Sequence, residues 1–116
     1  MMFEERPWGS YTILHSGASY QVKKLVIGPG KRISMQSHKF RAEHWFIVSG
    51  EGLAELNDDI VTVLPGDSVD VSISVKHRIT NRGEGDLVLI EVQTGTSFSE
   101  DDIIRYEDDY GRVAQK

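Results

Sequence analysis

The chain contains no cysteine. Disulfides and zinc–thiolate sites are therefore excluded, and any metal must be held by nitrogen and oxygen ligands. No apolar run approaches the length that spans a bilayer. The first residues, Met1-Met2-Phe3-Glu4-Glu5-Arg6, lack a basic region followed by an apolar stretch, so no secretory signal is read and a cytoplasmic location is expected. Basic residues are outnumbered, 13 against 18, for a formal net charge of −5. That balance argues against nucleic acid and membranes as partners. It leaves room for a small anionic substrate, because charge inside a pocket matters more than the net value. Repeats, low-complexity segments and linkers are also missing. A chain of 116 residues, 39% hydrophobic and 27% charged, fits one soluble domain over 1–116 with one modest core.

Glycine, by contrast, is plentiful and dispersed, with 11 along the chain. Between the glycines lie short runs rich in Val, Ile, Leu, Phe and Tyr. This rhythm predicts an all-β sandwich or barrel. Strands are expected near 10–14, 20–27, 32–38, 44–49, 52–57, 60–64, 68–73, 77–81 and 87–94. Turn residues fill the gaps, at Gly28-Pro29-Gly30, Ser49-Gly50-Glu51-Gly52, Asn57-Asp58-Asp59, Pro65-Gly66-Asp67 and Asn81-Arg82-Gly83. Alternation puts Gln21, Lys23, Leu25 and Ile27 on one strand face, and Leu87, Leu89, Glu91 and Gln93 on another. Near residue 99 the character changes. Ser99-Glu100-Asp101-Asp102 reads as a capping box opening a helical turn through Arg105 or Tyr106, with its acidic cluster in solvent.

One constellation carries chemistry. Five residues separate Gly30 from Gln36; Ser37 and His38 follow, four more precede Glu43, and six separate Glu43 from Gly50. Ten residues separate Gly66 from His77, and three more separate His77 from Asn81. Gln36 and His38 are two apart, so in a strand they share a side. A turn through Lys39-Phe40-Arg41-Ala42 would return Glu43 opposite His38, and His77 opens a later strand. The set offers two imidazole nitrogens, a carboxylate and an amide oxygen. That suits zinc first, and also manganese, cobalt, nickel or ferrous iron. Spacing alone leaves undecided whether these residues meet. His15, in a turn region, is read as a surface residue. His44 neighbours Glu43 and is expected on the opposite face.

These positions resemble the two motifs of the cupin superfamily. The first is Gly30, Gln36, His38, Glu43 and Gly50, with Gln36 where the motif has His; the second is Gly66, Ser72, Ser74, His77 and Asn81, with Ser72 and Ser74 where it has Pro and Gly. The resemblance narrows over Arg6-Pro7-Trp8-Gly9-Ser10-Tyr11, Tyr20-Gln21-Val22-Lys23, Arg41-Ala42-Glu43-His44-Trp45, Ile90-Glu91-Val92-Gln93-Thr94-Gly95 and Glu100-Asp101-Asp102-Ile103-Ile104-Arg105. These segments look like the C-terminal domain of the type II mannose-6-phosphate isomerase, usually fused to a mannose-1-phosphate guanylyltransferase. The match runs from about Arg6 to Arg112.

The resemblance implies a single cupin domain: a double-stranded β-helix, or jelly-roll barrel, with a short C-terminal helical turn. It implies one divalent metal on Gln36, His38, Glu43 and His77, and it accounts for Gln36. It implies a metal-dependent aldose–ketose isomerase that interconverts mannose 6-phosphate and fructose 6-phosphate through an enediol. Such a step needs a base and a stabiliser of the enediolate oxygen. Glu91 is the candidate base, and Lys23 the candidate for assisting proton transfer or binding phosphate. Arg41, Arg78 and Arg105, with Lys76, are candidates for the phosphate clamp. Trp8 and Trp45 are expected in packing, with a sugar-lining role as the alternative. Two departures stand out. Phe40 replaces a His that strand alternation would point into the pocket beside His38, and no Gly-rich nucleotide loop occurs, so sugar-nucleotide synthesis is not expected from this chain. Two other readings compete: a non-catalytic metal-binding cupin that binds a sugar or sugar phosphate, and a cupin enzyme with another substrate. A homodimer formed through an outer sheet is also expected.

Overall fold

Along Arg41–Ser49 the residues alternate between buried and more exposed from Arg41 to Val48, and Leu87–Gly95 repeats the pattern from Leu87 to Gln93. A period of two with one apolar side is the signature of a strand lying on a core. The computed structural model describes residues 1–112. Its strands are β1 (Met2–Arg6), β2 (Gly9–Ser16), β3 (Tyr20–Ile27), β4 (Met35–Ser37), β5 (Arg41–Ser49), β6 (Gly52–Leu56), β7 (Asp59–Val63), β8 (Ser68–Val71), β9 (His77–Asn81), β10 (Leu87–Gly95) and β11 (Ile104–Glu107). A single 3₁₀ turn, Glu100–Asp102, precedes β11.

The strands form two antiparallel sheets, ordered β1-β2-β3-β10-β5-β8 and β11-β4-β9-β6-β7. From β3 onward the chain passes back and forth between them, with only the β6–β7 hairpin staying in one sheet. This winding is the double-stranded β-helix, so the all-β jelly-roll expectation holds.

Three expectations about elements need correction. β1 was not anticipated, because its charged sequence shows no apolar alternation; it forms by pairing with β2, from Met2↔Ile13 to Arg6↔Gly9. The helical turn is shorter than expected. Ser99 caps it, its hydroxyl accepting from the Asp101 N–H, but the chain leaves the turn at Ile103 and pairs as β11 with β4. The strand expected over 32–38 reduces to Met35–Ser37, with Arg32 held by an isolated bridge to Thr80.

Register arranges the interior in rows. Leu25, Leu89 and Ile47 lie side by side across β3, β10 and β5, beside the Ile27–Leu87 pair. All five are buried and belong to the core. Two rows nearer the mouth are polar: Lys23, Glu91 and Trp45, then Gln21, Gln93 and Glu43. The facing sheet pairs Gln36 with His77 at the same level. At the opposite end, Asn81 donates through Nδ2 to Ile27 O and Gly85 O, both at 2.8 Å, and accepts from the Gly83 N–H at 2.9 Å. The motif asparagine thus closes the apolar end of the barrel, and the chemistry gathers at the other.

Candidate metal centre

β4, the turn after it, β5 and β9 bring Gln36, His38, Glu43 and His77 together in one cavity, from both sheets. His38 Nε2 lies 3.0 Å from Glu43 Oε2, and His77 Nε2 lies 3.7 Å from Glu43 Oε1. One ligand atom from each of these three buried residues falls within 4.8 Å of the others.

The outer nitrogens explain how the rings are set. His38 Nδ1 bonds Asp102 O at 2.8 Å, and His77 Nδ1 bonds Val75 O at 2.9 Å. A backbone carbonyl only accepts, so each Nδ1 carries a hydrogen, and each Nε2, facing Glu43, is the ring atom left to ligate a metal. The Gln36 amide nitrogen donates to Ser34 Oγ at 3.0 Å, which leaves its carbonyl oxygen as the ligand atom. Two imidazole nitrogens, a carboxylate and an amide oxygen are a donor set that fits a divalent ion.

Electrostatics suit the same role. Burial presses the His77 pKa down despite the Glu43 charge, which keeps the imidazole in its ligating neutral form. Burial alone would raise Glu43, but its two imidazole neighbours, His77 first and then His38, hold it well below the usual carboxylate range. Glu91 goes the other way. Burial and then the neighbouring Glu43 charge push it well above that range, against the pull of Lys23 and the Trp45 N–H. Trp45 Nε1 donates to Glu43 Oε1 at 2.9 Å and to Glu91 Oε1 at 3.1 Å. Gln93 Nε2 donates to Glu91 Oε2 at 3.0 Å.

Lys23, Glu91, Arg41 and Arg105 line this same cavity. Lys23 is the direct register partner of Glu91, and its Nζ sits 4.4 Å from the centre of the Tyr11 ring. The Nε groups of Arg41 and Arg105 are buried and have no hydrogen-bond partner among the described residues. Burial and the Arg112 guanidinium press the Arg105 pKa below its ordinary value. Such a group gains from a bound anion.

Arg78 is a correction. His77 and Ile79 face the barrel interior, so Arg78 points out of the other face of β9. There it is buried under the C-terminal segment, donating to Ile33 O, Glu107 Oε1 and Glu107 O. It does not reach the cavity. Lys76 is also elsewhere, its Nζ 4.4 Å from the centre of the Tyr106 ring. Phe40 is the second correction. It lies in the turn before β5 rather than in a strand, and its side chain is 53% exposed and outside the cavity. The alternation expected to point it inward does not extend through that turn. His44 faces outward and bonds Asp70 at 2.5 Å; His15 bonds Tyr20 at 2.9 Å.

Arg6, Tyr11, Gln93 and Arg112 also line the cavity and were not anticipated as site residues. Gln93 was legible, since it shares the inward face of Glu91. Arg6 ends β1, a strand that its sequence did not announce, and Arg112 lies beyond β11, where strand alternation says nothing.

Residues 3–108 match the family described as mannose-6-phosphate isomerase C-terminal. The chain is 43% identical over 108 residues to the xanthan biosynthesis protein XanB of Xanthomonas campestris, covering 93% of this chain and 23% of that protein. It is 40% identical over 108 residues to the mannose-1-phosphate guanylyltransferase ManC of Salmonella typhimurium, covering 93% of this chain and 22% of that protein. It thus spans under a quarter of the length of these curated relatives. Among solved structures, the capsular polysaccharide assembling protein CapF of Staphylococcus aureus superposes with a TM-score of 0.79 at 24% identity, covering 91% of this chain and 34% of that one. That likeness shows the fold. Among the described residues, no helix is long and apolar enough to cross a membrane. With its barrel and most of its length matched in one register, the chain belongs to the mannose-6-phosphate isomerase C-terminal family.

Proposed function

We propose that this barrel is a metal-dependent isomerase interconverting mannose 6-phosphate and fructose 6-phosphate through an enediol, with zinc as the first candidate ion on Gln36, His38, Glu43 and His77. One observation carries the reading beyond family membership. Glu91 and Lys23 stand opposite one another on neighbouring strands and line the same cavity as the ligand set.

When bound, a divalent ion supplies Lewis acidity toward the sugar carbonyl. The protein supplies the rest. Ionised Glu91, as the carboxylate, takes the proton from C2, becomes the carboxylic acid and returns that proton to C1, while the hydroxyl proton passes between the two sugar oxygens. Its raised pKa brings it toward the operating pH that efficient transfer requires. Trp45 and Gln93 hold its two oxygens in place. The Lys23 ammonium stabilises the negative charge that develops on the enediolate oxygen. Arg41 and Arg105 hold the phosphate through donors that have no protein partner.

A coupled assay on mannose 6-phosphate, with protein shown to be loaded with zinc, manganese or cobalt, tests this. Turnover is expected, and Glu91→Gln should lower kcat by roughly 10²–10⁴-fold with little change in KM. Absence of turnover with every metal would overturn the isomerase reading and leave a sugar-phosphate-binding cupin. We also propose a homodimer through the outer face of the six-stranded sheet, where Phe46 and Val48 are 45% and 47% exposed. Sedimentation equilibrium showing only monomer rejects it.

A further inference from the structure

The acidic segment before β11 has no part in the chemistry above, yet it reaches the metal ligands. Asp102 contacts the turn after β4 in three places. Its carbonyl oxygen accepts from His38 Nδ1 at 2.8 Å, and its carboxylate oxygens accept from the N–H groups of Lys39 and Phe40, each at 2.9 Å. One residue therefore grips His38 and both residues that follow it. The grip is pre-set, because the Asp102 N–H donates to Ser99 O at 3.1 Å and Ser99 Oγ accepts from the Asp101 N–H at 3.0 Å.

The two histidines differ in this respect. His77 Nδ1 is held by Val75, two residues away on its own loop. His38 Nδ1 is held from 64 residues further along the chain. The strap that supplies this bond also places Ile103 and Arg105 in the cavity. Beyond them it is fastened to the barrel wall by Glu107 on Arg78 and Asp109 on Arg32. Docking of the strap and orientation of a ligand are one event.

We propose that Asp102 is a positioning residue: its carboxylate clamps the 38–40 turn so that its own carbonyl fixes His38 as the Nδ1–H tautomer, with Nε2 free to ligate. The strap is then a component of the metal centre rather than a cover over it. The inference rests on the reading of His38 as a ligand, and an outer partner of this kind is worth about 10–100-fold in metal affinity.

The test uses the full chain as wild type, Asp102→Ala, Asp102→Asn and, as a charge control outside the clamp, Asp101→Asn. The His38 tautomer is read by ¹⁵N NMR on the metal-free proteins, and zinc affinity by calorimetry. Near-ultraviolet circular dichroism of buried Trp45 verifies the barrel. Asp102→Ala is expected to mix the His38 tautomers while leaving His77 as Nδ1–H, and to weaken zinc binding about 10–100-fold. Asp102→Asn keeps a side-chain acceptor and should recover part of both, and Asp101→Asn should match wild type. An unchanged His38 tautomer, or zinc affinity within about twofold of wild type, in a folded Asp102→Ala protein overturns the proposal. If wild type binds no metal but Asp102→Ala still mixes the tautomers, the metal reading fails and the positioning role stands.

Discussion

Glu43 and Glu91 accept hydrogen bonds from the same indole N–H, that of Trp45, at 2.9 and 3.1 Å. Two buried carboxyl groups around one donor cannot both carry full charge cheaply. Their pKa values are accordingly driven apart, Glu43 down and Glu91 up. That separation suits Glu43 to ligation and, under the proposed function, Glu91 to proton transfer.

Trp45→Phe tests the bridge. The ring is 1% exposed, so phenylalanine keeps much of the packing but deletes the donor. Two buried acceptors then lose a partner. Urea unfolding should show a loss of about 1–3 kcal/mol from the hydrogen bonds, with a further loss from the smaller ring. A stability equal to wild type would remove the bridge from the argument.

The inward faces of Lys23 and Glu91 were legible because strand alternation is a local rule; that Gln36, His38, Glu43 and His77 form one set was left open by spacing and came from the family resemblance. Gln36, Glu43, Lys23 and Glu91 stand where a period of two puts them. Phe40 was misplaced because the same rule was carried through a turn, where it has no force. Arg78 was misassigned for a related reason. Its charge suggested solvent or phosphate, but its side chain is taken up by Ile33 O and by Glu107 at the end of β11, and β11 is identified only by its pairing with β4. Long-range contacts of this kind leave no periodic trace. The strap's bond to His38 shows the same limit, since nothing in the order of residues links position 102 to position 38.

Ser74 has φ of 68°, in the left-handed region, at the position where the cupin motif has glycine. Its N–H donates to His38 O at 2.8 Å, so the loop before His77 keeps its course despite the substitution. The strain is carried by the side chain. Ser74→Gly should therefore raise stability by up to about 1 kcal/mol, after the greater flexibility of glycine in the unfolded chain is allowed for. Thermal unfolding checks the sign; a lower Tm would show that the serine side chain contributes something beyond the backbone.

Arg78 and Arg105 separate binding from scaffolding. Arg105→Met removes an unpartnered cation from the cavity and should raise KM for mannose 6-phosphate about tenfold or more, with stability little changed. Arg78→Met removes three donors to Ile33 and to Glu107 at the end of β11. It should destabilise the protein by roughly 2–4 kcal/mol while leaving KM near wild type wherever the protein stays folded. The reverse pattern in steady-state kinetics and urea titrations would restore Arg78 to the site.

Asp108 gives the strap a dependence on acid. Burial would raise its carboxyl, but hydrogen bonds from the Arg112 side chain and from the backbone N–H groups of Arg112 and Tyr110 hold it below the ordinary value. Arg112 Nε donates to Asp108 Oδ2 at 2.8 Å, and Arg112 Nη2 donates to Oδ1 at 3.1 Å. A carboxyl depressed in the folded state contributes stability above its unfolded pKa of about 3.9, and that contribution is lost as pH falls through the lower folded value. The Asp108–Arg112 turn should therefore persist at neutral pH and through the ordinary aspartate pKa of about 3.9, and open only in stronger acid, as the depressed carboxyl takes up its proton. The Arg112 Nε–H resonance, followed by NMR across that range, should move toward the free-guanidinium position as acid is added. Asp108→Asn should already show that position at pH 7 and lose the acid transition. An acid step of the same size in the variant would place the titrating carboxyl elsewhere in the strap.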